Sequence, residues 1–272
     1  MNDNKLRFIS NNVKGIQAND KRIKLFEYLR KYVIPNGFVF LQETHSTEND
    51  EKQWEDEFKG QLFFSHGKTN SCGVAIGFYG AKKLELLNKC SDKAGRILLL
   101  DVKIDDTVFV LVNIYNANTE NDQLQTLSDL NDILGNINDI ETKNIILGGD
   151  FNVFFNLSLE ANGGNPVLKK KSIAKLIQLK EKFSLCDIWR IRSPKVKRFT
   201  FRQHHKSGFI QRRLDYFFIS NNIQENVKDS DILAAFSTDL SPVIFSLLLN
   251  KDKNRGKGLW KRSEERRVGK EC

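Results

Sequence analysis

Short apolar runs closed by polar or glycine-rich residues alternate with stretches of helical period along most of the chain. Residues 6–13 read as a first strand, closed by Lys14 and Gly15. Residues 21–32 have helical period, with Ile23, Phe26, Tyr28 and Leu29 apolar and Asn19 or Asp20 as cap. Pro35, Asn36 and Gly37 turn into a buried strand over 38–41, which delivers Gln42 and Glu43 at its C-terminal end. A helix over 48–58 precedes strands over 62–65 and 73–78 and a meander over 84–87, 97–102 and 108–115. Residues 122–140 form a helix on Leu124, Leu127, Leu130, Ile133, Leu134 and Ile137.

That helix feeds the run Ile145, Ile146, Leu147, which ends in Gly148, Gly149, Asp150, Phe151 and Asn152. The glycines allow close backbone approach. If the strand stays extended, Asp150 and Asn152 point the same way. An acceptor and an amide there suit a water, a metal and a phosphate, but the same residue types also favour a turn. A long loop covers 153–167 and a basic amphipathic helix 170–183. Residues 185–189 read as a short helix, and 198–202, 213–219, 231–235 and 243–249 as strands. Strands dominate and no internal repeat occurs. The pattern is α/β, with two packed sheets and helices outside, in a single domain over 1–250.

Length and composition fit this picture. The 272 residues suffice for one large α/β domain or two small ones, with 40% apolar and 28% charged residues. No apolar run approaches the roughly 18 residues of a membrane span, and the first five residues lack an apolar signal region. An intracellular location, nuclear or cytoplasmic, is expected. Net charge is +9, with basic residues gathered late, at Lys169, Lys170, Lys171, Lys195, Lys197, Arg198, Arg202, Lys206, Arg212 and Arg213. Such clustering suits a polyanion, whereas a merely solvated lysine face gives the same count. Four cysteines, Cys72, Cys90, Cys186 and Cys272, show no metal spacing and read as buried or idle thiols. Residues 262–272 look like adapter-derived read-through and are set aside as an artefact. On that reading the natural chain continues past Lys261.

Asn12, Glu43, Tyr115, Asn118, Asp150, Asn152, Asp215 and Asp239 each fall just beside an apolar strand. Any one of them is ordinarily a turn or solvated residue. Together they suggest one rim, since ligands of α/β sheets bind at strand C-termini. Carboxylates with amides suit a hard cation such as Mg²⁺, which can polarise a phosphate. Asp150 would take a proton from water and Asn152 would orient that water.

The series Asn12-Val13-Lys14-Gly15, Leu41-Gln42-Glu43-Thr44, Asn113-Ile114-Tyr115, Gly148 to Asn152, Arg213-Leu214-Asp215-Tyr216 and Ser237 to Pro242 resembles the endonuclease/exonuclease/phosphatase superfamily. Within it, the chain is most similar to the apurinic-endonuclease-like domain of LINE-type non-LTR retrotransposons. The resemblance covers residues 5–250 in order. It implies a four-layered sandwich, two packed mixed β-sheets flanked by helices, that nicks DNA with Mg²⁺, or Mn²⁺ in its place. It implies metal-site roles for Asn12, Glu43, Asp150, Asn152 and Asp239, and contacts from Tyr115 and Asn118 to the scissile phosphate. Thr200 would line the DNA groove, Asp215 would hold the active-site network, and Asp239 would orient a histidine directly after it. Residues 251–261 resemble the linker leading to a reverse transcriptase, which implies a monomeric domain of a longer polyprotein.

Two positions depart from the pattern. Leu240 stands where the family has histidine, and impaired activity is expected, by about 10²–10⁴-fold for a lost acid/base or electrostatic group. Lys14 stands where relatives often carry Asp or Asn, and it either binds phosphate or weakens a metal site. His45, His66, His204 and His205 are not at the matching position, and the last two are expected in a hairpin loop. The alternatives are a non-catalytic DNA-binding remnant and a small-phosphoester phosphatase. The basic late strands and the linker argue against the second.

Overall fold

A computed structural model describes residues 4–68, 71–205, 208–236 and 239–249. The expected linker at 251–261, the expected artefact at 262–272, and Lys206, Ser237 and Thr238 lie outside the described residues. In chain order, β1 (Lys5–Asn12) and α1 (Asn19–Val33) lead to β2 (Asn36–Gln42). A 3₁₀ turn (Glu48–Asp50) and α2 (Glu51–Phe58) precede β3 (Gln61–Ser65) and β4 (Val74–Gly80). The meander is β5 (Leu84–Ser91), β6 (Ile97–Ile104) and β7 (Thr107–Tyr115), from which α3 (Glu120–Gly135) crosses to β8 (Asn144–Asp150). Next come α4 (Leu157–Glu160), β9 (Ala161–Asn162), α5 (Lys170–Lys182), β10 (Leu185–Asp187) and α6 (Ile188–Arg192). β11 (Phe201–His205), β12 (Gly208–Arg212), β13 (Asp215–Ser220), β14 (Val227–Ile232) and β15 (Val243–Leu248) close the fold.

Two six-stranded mixed sheets result, ordered β14-β15-β1-β2-β4-β3 and β10-β13-β8-β7-β6-β5, beside a small sheet β11-β12-β9. The period-2 geometry of a strand sends alternate residues to opposite faces. In β1, Phe8 joins Phe38, Phe40, Leu111, Ile146 and Phe217 between the sheets. Its neighbour Ile9 joins Phe26, Leu29 and Phe58 beneath α1 and α2. In β8, Ile145 and Leu147 pack toward Leu127, Leu130 and Leu176 of α3 and α5. Both faces of each sheet are thus covered, which is why the strands read as near-continuous apolar runs. The architecture is the expected α/β four-layered sandwich.

A buried polar clasp joins the sheets. Gln42 Nε2 donates to Asn113 Oδ1 (2.6 Å) and Ser10 Oγ (3.1 Å), while Asn113 Nδ2 donates to the carbonyls of Leu41 and Ala75, both at 2.8 Å. Parallel pairing of β1 with β2 and of β7 with β8 brings their C-terminal ends to one edge, with Asn12 beside Gln42 and Tyr115 beside Asp150.

Several local expectations are corrected. The cap of α1 is Ala18, without a side-chain bond, because Asn19 Oδ1 is taken by Arg22 Nη2. Arg22, rather than Ile23, faces inward and pairs with Glu57. α3 begins at a Thr119 cap and stops at Gly135 rather than at 140, although Ile137 and Ile140 stay buried and prolong the period. Residues 185–187 are a strand, β10, paired with β13, and Asp187 then caps α6. The loop over 153–167 contains α4 and β9. β11 starts at Phe201 and runs through His204 and His205, which lie in a strand rather than a loop. The strand expected at 231–235 sits at 227–232.

Candidate active site

Asn12 ends β1 and reaches across to the other sheet. Its Nδ2 donates to Glu43 Oε1 (2.7 Å) and to Asp150 Oδ2 (3.0 Å), while its Oδ1 accepts from the Lys14 amide (3.1 Å). The amide is therefore oriented with its donor toward both carboxylates, and in this geometry it positions them. Asp150 Oδ1 accepts from the Asn152 backbone N–H (2.9 Å), so each Asp150 oxygen is fixed by one bond.

Burial raises the Asp150 carboxyl above the usual range, and the charge of Glu43 adds to it; the hydrogen bonds from Asn12 and Asn152 oppose the rise. Asp215 faces Asp150 in the β13–β8 register. It is raised by burial first and by Asp150 second. Its Oδ2 is buried and has no hydrogen-bond partner among the described residues. Burial, then the charge of Glu43 and a hydrogen bond to it, push the Tyr115 hydroxyl up.

The glycines before Asp150 do what the sequence suggests. A Cβ on Gly149 (φ +142°) would stand 2.0 Å from the Ile114 carbonyl oxygen. Extended geometry, however, ends at Asp150. Asn152 adopts a left-handed φ of 51°, and its Nδ2 donates to the Asn116 carbonyl (2.8 Å). Asp150 and Asn152 thus form a turn that grips itself, and their side chains do not share one extended face.

Lys14 (φ 48°) and Glu43 (φ 52°) are left-handed as well. Residues that carry a Cβ rarely adopt this conformation, and such strain concentrates at functional sites.

Thr200 is corrected. It is fully buried rather than groove-lining, and its Oγ1 accepts from the amides of Leu214 (2.9 Å) and Asp215 (3.2 Å), which fixes Asp215 from below. Asn118 is exposed on the rim, and its carbonyl accepts from Lys169. Asp239 is drawn to Lys14, with Nζ at 2.5 Å from its Oδ1. Arg213, counted with the basic cluster, is buried and pairs with Glu160 (2.8 Å) and Asp187 (2.7 Å), so it is an internal brace.

Two cations escaped the sequence reading. Lys169 Nζ donates to the carbonyls of Asn118 (2.7 Å) and Asn152 (3.0 Å) and ties two site loops together. Its burial lowers it while Asp150 raises it. It was visible only as the first member of a lysine run. Arg96 Nη1 donates to the Tyr115 carbonyl (3.3 Å), with its guanidinium 5.2 Å from that ring, and no sequence pattern marked it.

Among the described residues, no group of three or more His, Cys, Asp or Glu side chains stands close enough to hold a metal ion. Mg²⁺ makes a smaller demand, commonly one or two carboxylates completed by water and substrate phosphate. Glu43 and Asp150, locked on one amide, meet that demand, and the buried Asp215 Oδ2, without a hydrogen-bond partner among the described residues, lies beside them. The donor set fits the group. No helix of the described residues is long and apolar enough to cross a membrane.

A sequence profile of the endonuclease/exonuclease/phosphatase family matches residues 11–239. The transposon TX1 uncharacterized 149 kDa protein of Xenopus laevis is 34% identical over 230 residues, covering 83% of this chain and 17% of that protein. Three solved structures share the fold. The AP endonuclease of Leishmania major aligns with TM-score 0.73 and 18% identity over 91% of this chain and 89% of that one. The endonuclease domain of TRAS1, a telomere-specific non-LTR retrotransposon, gives 0.62 and 13% over 90% and 100%. The catalytic domain of Xenopus laevis APE2 gives 0.66 and 18% over 91% and 94%.

Proposed function

The chain belongs to the endonuclease/exonuclease/phosphatase family, and from that premise we propose that it hydrolyses phosphodiester bonds in DNA, nicking one strand with a divalent cation. One observation carries the reading. A single buried amide, Asn12, holds carboxylates from both sheets at 2.7 and 3.0 Å on the rim where the strands end.

Glu43 and Asp150 would hold Mg²⁺, which would supply charge neutralisation at the phosphate. Asp150, raised by burial and fixed through both oxygens, accepts a proton from the attacking water. The water oxygen bonds to phosphorus as the bond to the leaving sugar oxygen breaks. Asp215, anchored by Thr200 and raised by burial and by the neighbouring Asp150 charge, lies directly behind Asp150 in the strand register. Asn118 and Tyr115 stand on the rim that the phosphate meets. The leaving oxygen departs with negative charge. The histidine of the family pattern would answer that charge, and Leu240 does not, so this chain nicks more slowly than its Leu240→His variant.

The match to only 17% of the transposon relative supports a place in a longer protein, and a reverse transcriptase in that protein and a nuclear or cytoplasmic location are part of the same proposal. Supercoiled plasmid and inositol phosphate, each with Mg²⁺ or EDTA, separate the readings. Conversion of plasmid to the nicked circle in Mg²⁺ alone is expected. Phosphate release from inositol phosphate without plasmid nicking would point to a phosphatase. DNA binding without cleavage in any condition would point to a non-catalytic module.

A further inference from the structure

The two departures from the family pattern, at positions 14 and 240, meet at one carboxylate. Asp239 precedes Leu240, and Leu240 turns inward, 3% exposed, in a β-bridge with Phe201. The Asp239 carboxylate instead holds the Lys14 ammonium at 2.5 Å. We propose that Lys14 contacts the scissile phosphate, with Asp239 aiming its ammonium, and supplies the positive charge that Leu240 cannot. The inference rests on the DNA-nicking reading above.

The backbone around Lys14 shows a placed residue. Its φ of 48° is left-handed, which is unfavourable for any side chain. The turn is nonetheless held at every step. The Lys14 amide donates to Asn12 Oδ1 (3.1 Å) and the Gly15 amide to the Glu43 carbonyl (2.7 Å). Lys21 Nζ then gathers the carbonyls of Val13 (2.8 Å), Lys14 (3.2 Å) and Gly15 (2.7 Å). The same turn therefore orients Asn12 and aims Lys14.

Stability does not account for the ion pair. Its side chains are 41% and 36% exposed, and exposed pairs contribute little to folding. Partial exposure does suit a cation that must meet an incoming polyanion. An ammonium has three donors, and Asp239 takes one of them. The Phe201 ring, 5.8 Å from Nζ, flanks the other side. Asp239 is itself held by its backbone, whose carbonyl accepts from the Arg202 amide (3.1 Å). Lys14 thus covers the electrostatic part of the missing imidazole's role and none of its proton transfer.

The test combines two measurements on the full chain. Single-turnover cleavage of a labelled duplex in Mg²⁺ gives the rate, and fluorescence anisotropy of the same duplex in EDTA across NaCl concentrations gives the salt slope. Lys14→Met should slow cleavage by about 10²-fold and lower the salt slope by about one, while Lys14→Arg should lose less than about tenfold in rate. Leu240→His should accelerate Lys14→Met by about tenfold more than it accelerates the native chain, the coupling expected of groups that share a role. Equal gains from Leu240→His in both backgrounds would overturn the proposal, as would a Lys14→Met variant unchanged in rate and slope. If no variant cleaves, a slope lowered by Lys14→Met supports the phosphate contact and overturns the nuclease reading. An unchanged slope in that case overturns both.

Discussion

At the scale of single residues, the site depends on backbone conformations that side chains disfavour. Lys14, Glu43 and Asn152 are all left-handed, at roughly 1–2 kcal/mol each for Lys14 and Glu43 and less for Asn152, since asparagine tolerates this region. None of this was legible in the sequence, because φ is set by the contacts that hold each turn. The identities were legible. Asn12, Glu43 and Asp150 were expected on one rim, and one amide joins them. Thr200 and Arg213 were misread for one reason, in that residue type does not reveal burial. Gly149 makes the sharpest local prediction. Gly149→Ala would drive a Cβ to 2.0 Å from the Ile114 carbonyl oxygen and should cost about 1–3 kcal/mol, read from the midpoint of urea unfolding. An unchanged midpoint would mean that β7 and β8 are less tightly apposed than described.

At the scale of elements, what positions the chemistry is the parallel pairing of β1 with β2 and of β7 with β8, and the clasp between the two sheets. Apolar runs made the strands readable and left their ends uncertain. β14 and α3 show why, since buried Ile137 and Ile140 extend a helical period beyond the stop at Gly135. The clasp was unreadable, because Gln42 and Asn113 lie far apart in sequence. Asn113→Leu would strip the carbonyls of Leu41 and Ala75 of a donor. It should destabilise by about 1–3 kcal/mol and slow nicking by loosening the rim. Arg213→Met would leave Glu160 and Asp187 short of their buried partner. It should destabilise by about 3–5 kcal/mol while leaving the salt slope of DNA binding unchanged, since Arg213 is internal. A lowered slope would place that guanidinium on the DNA.

At the scale of the whole molecule, two sheets from different parts of the chain must pack before the site exists. Asn12 and Glu43 come from one sheet and Asp150 from the other. The excess of 43 basic over 34 acidic residues draws a polyanion in general, and the rim decides what happens to it. The family and fold were legible because the motifs fall in order at strand ends. The ion pair at Asp239 was not, because Lys14 and Asp239 are brought together only by folding. The proposed DNA-nicking site depends on Asp150 as its proton acceptor. Its most direct test is the nicking rate of supercoiled plasmid by the native chain and by Asp150→Ala, at matched DNA binding in Mg²⁺. A fall of about 10²–10⁴-fold with binding intact is predicted. Native cleavage that survives Asp150→Ala would contradict it and move the reaction away from this rim.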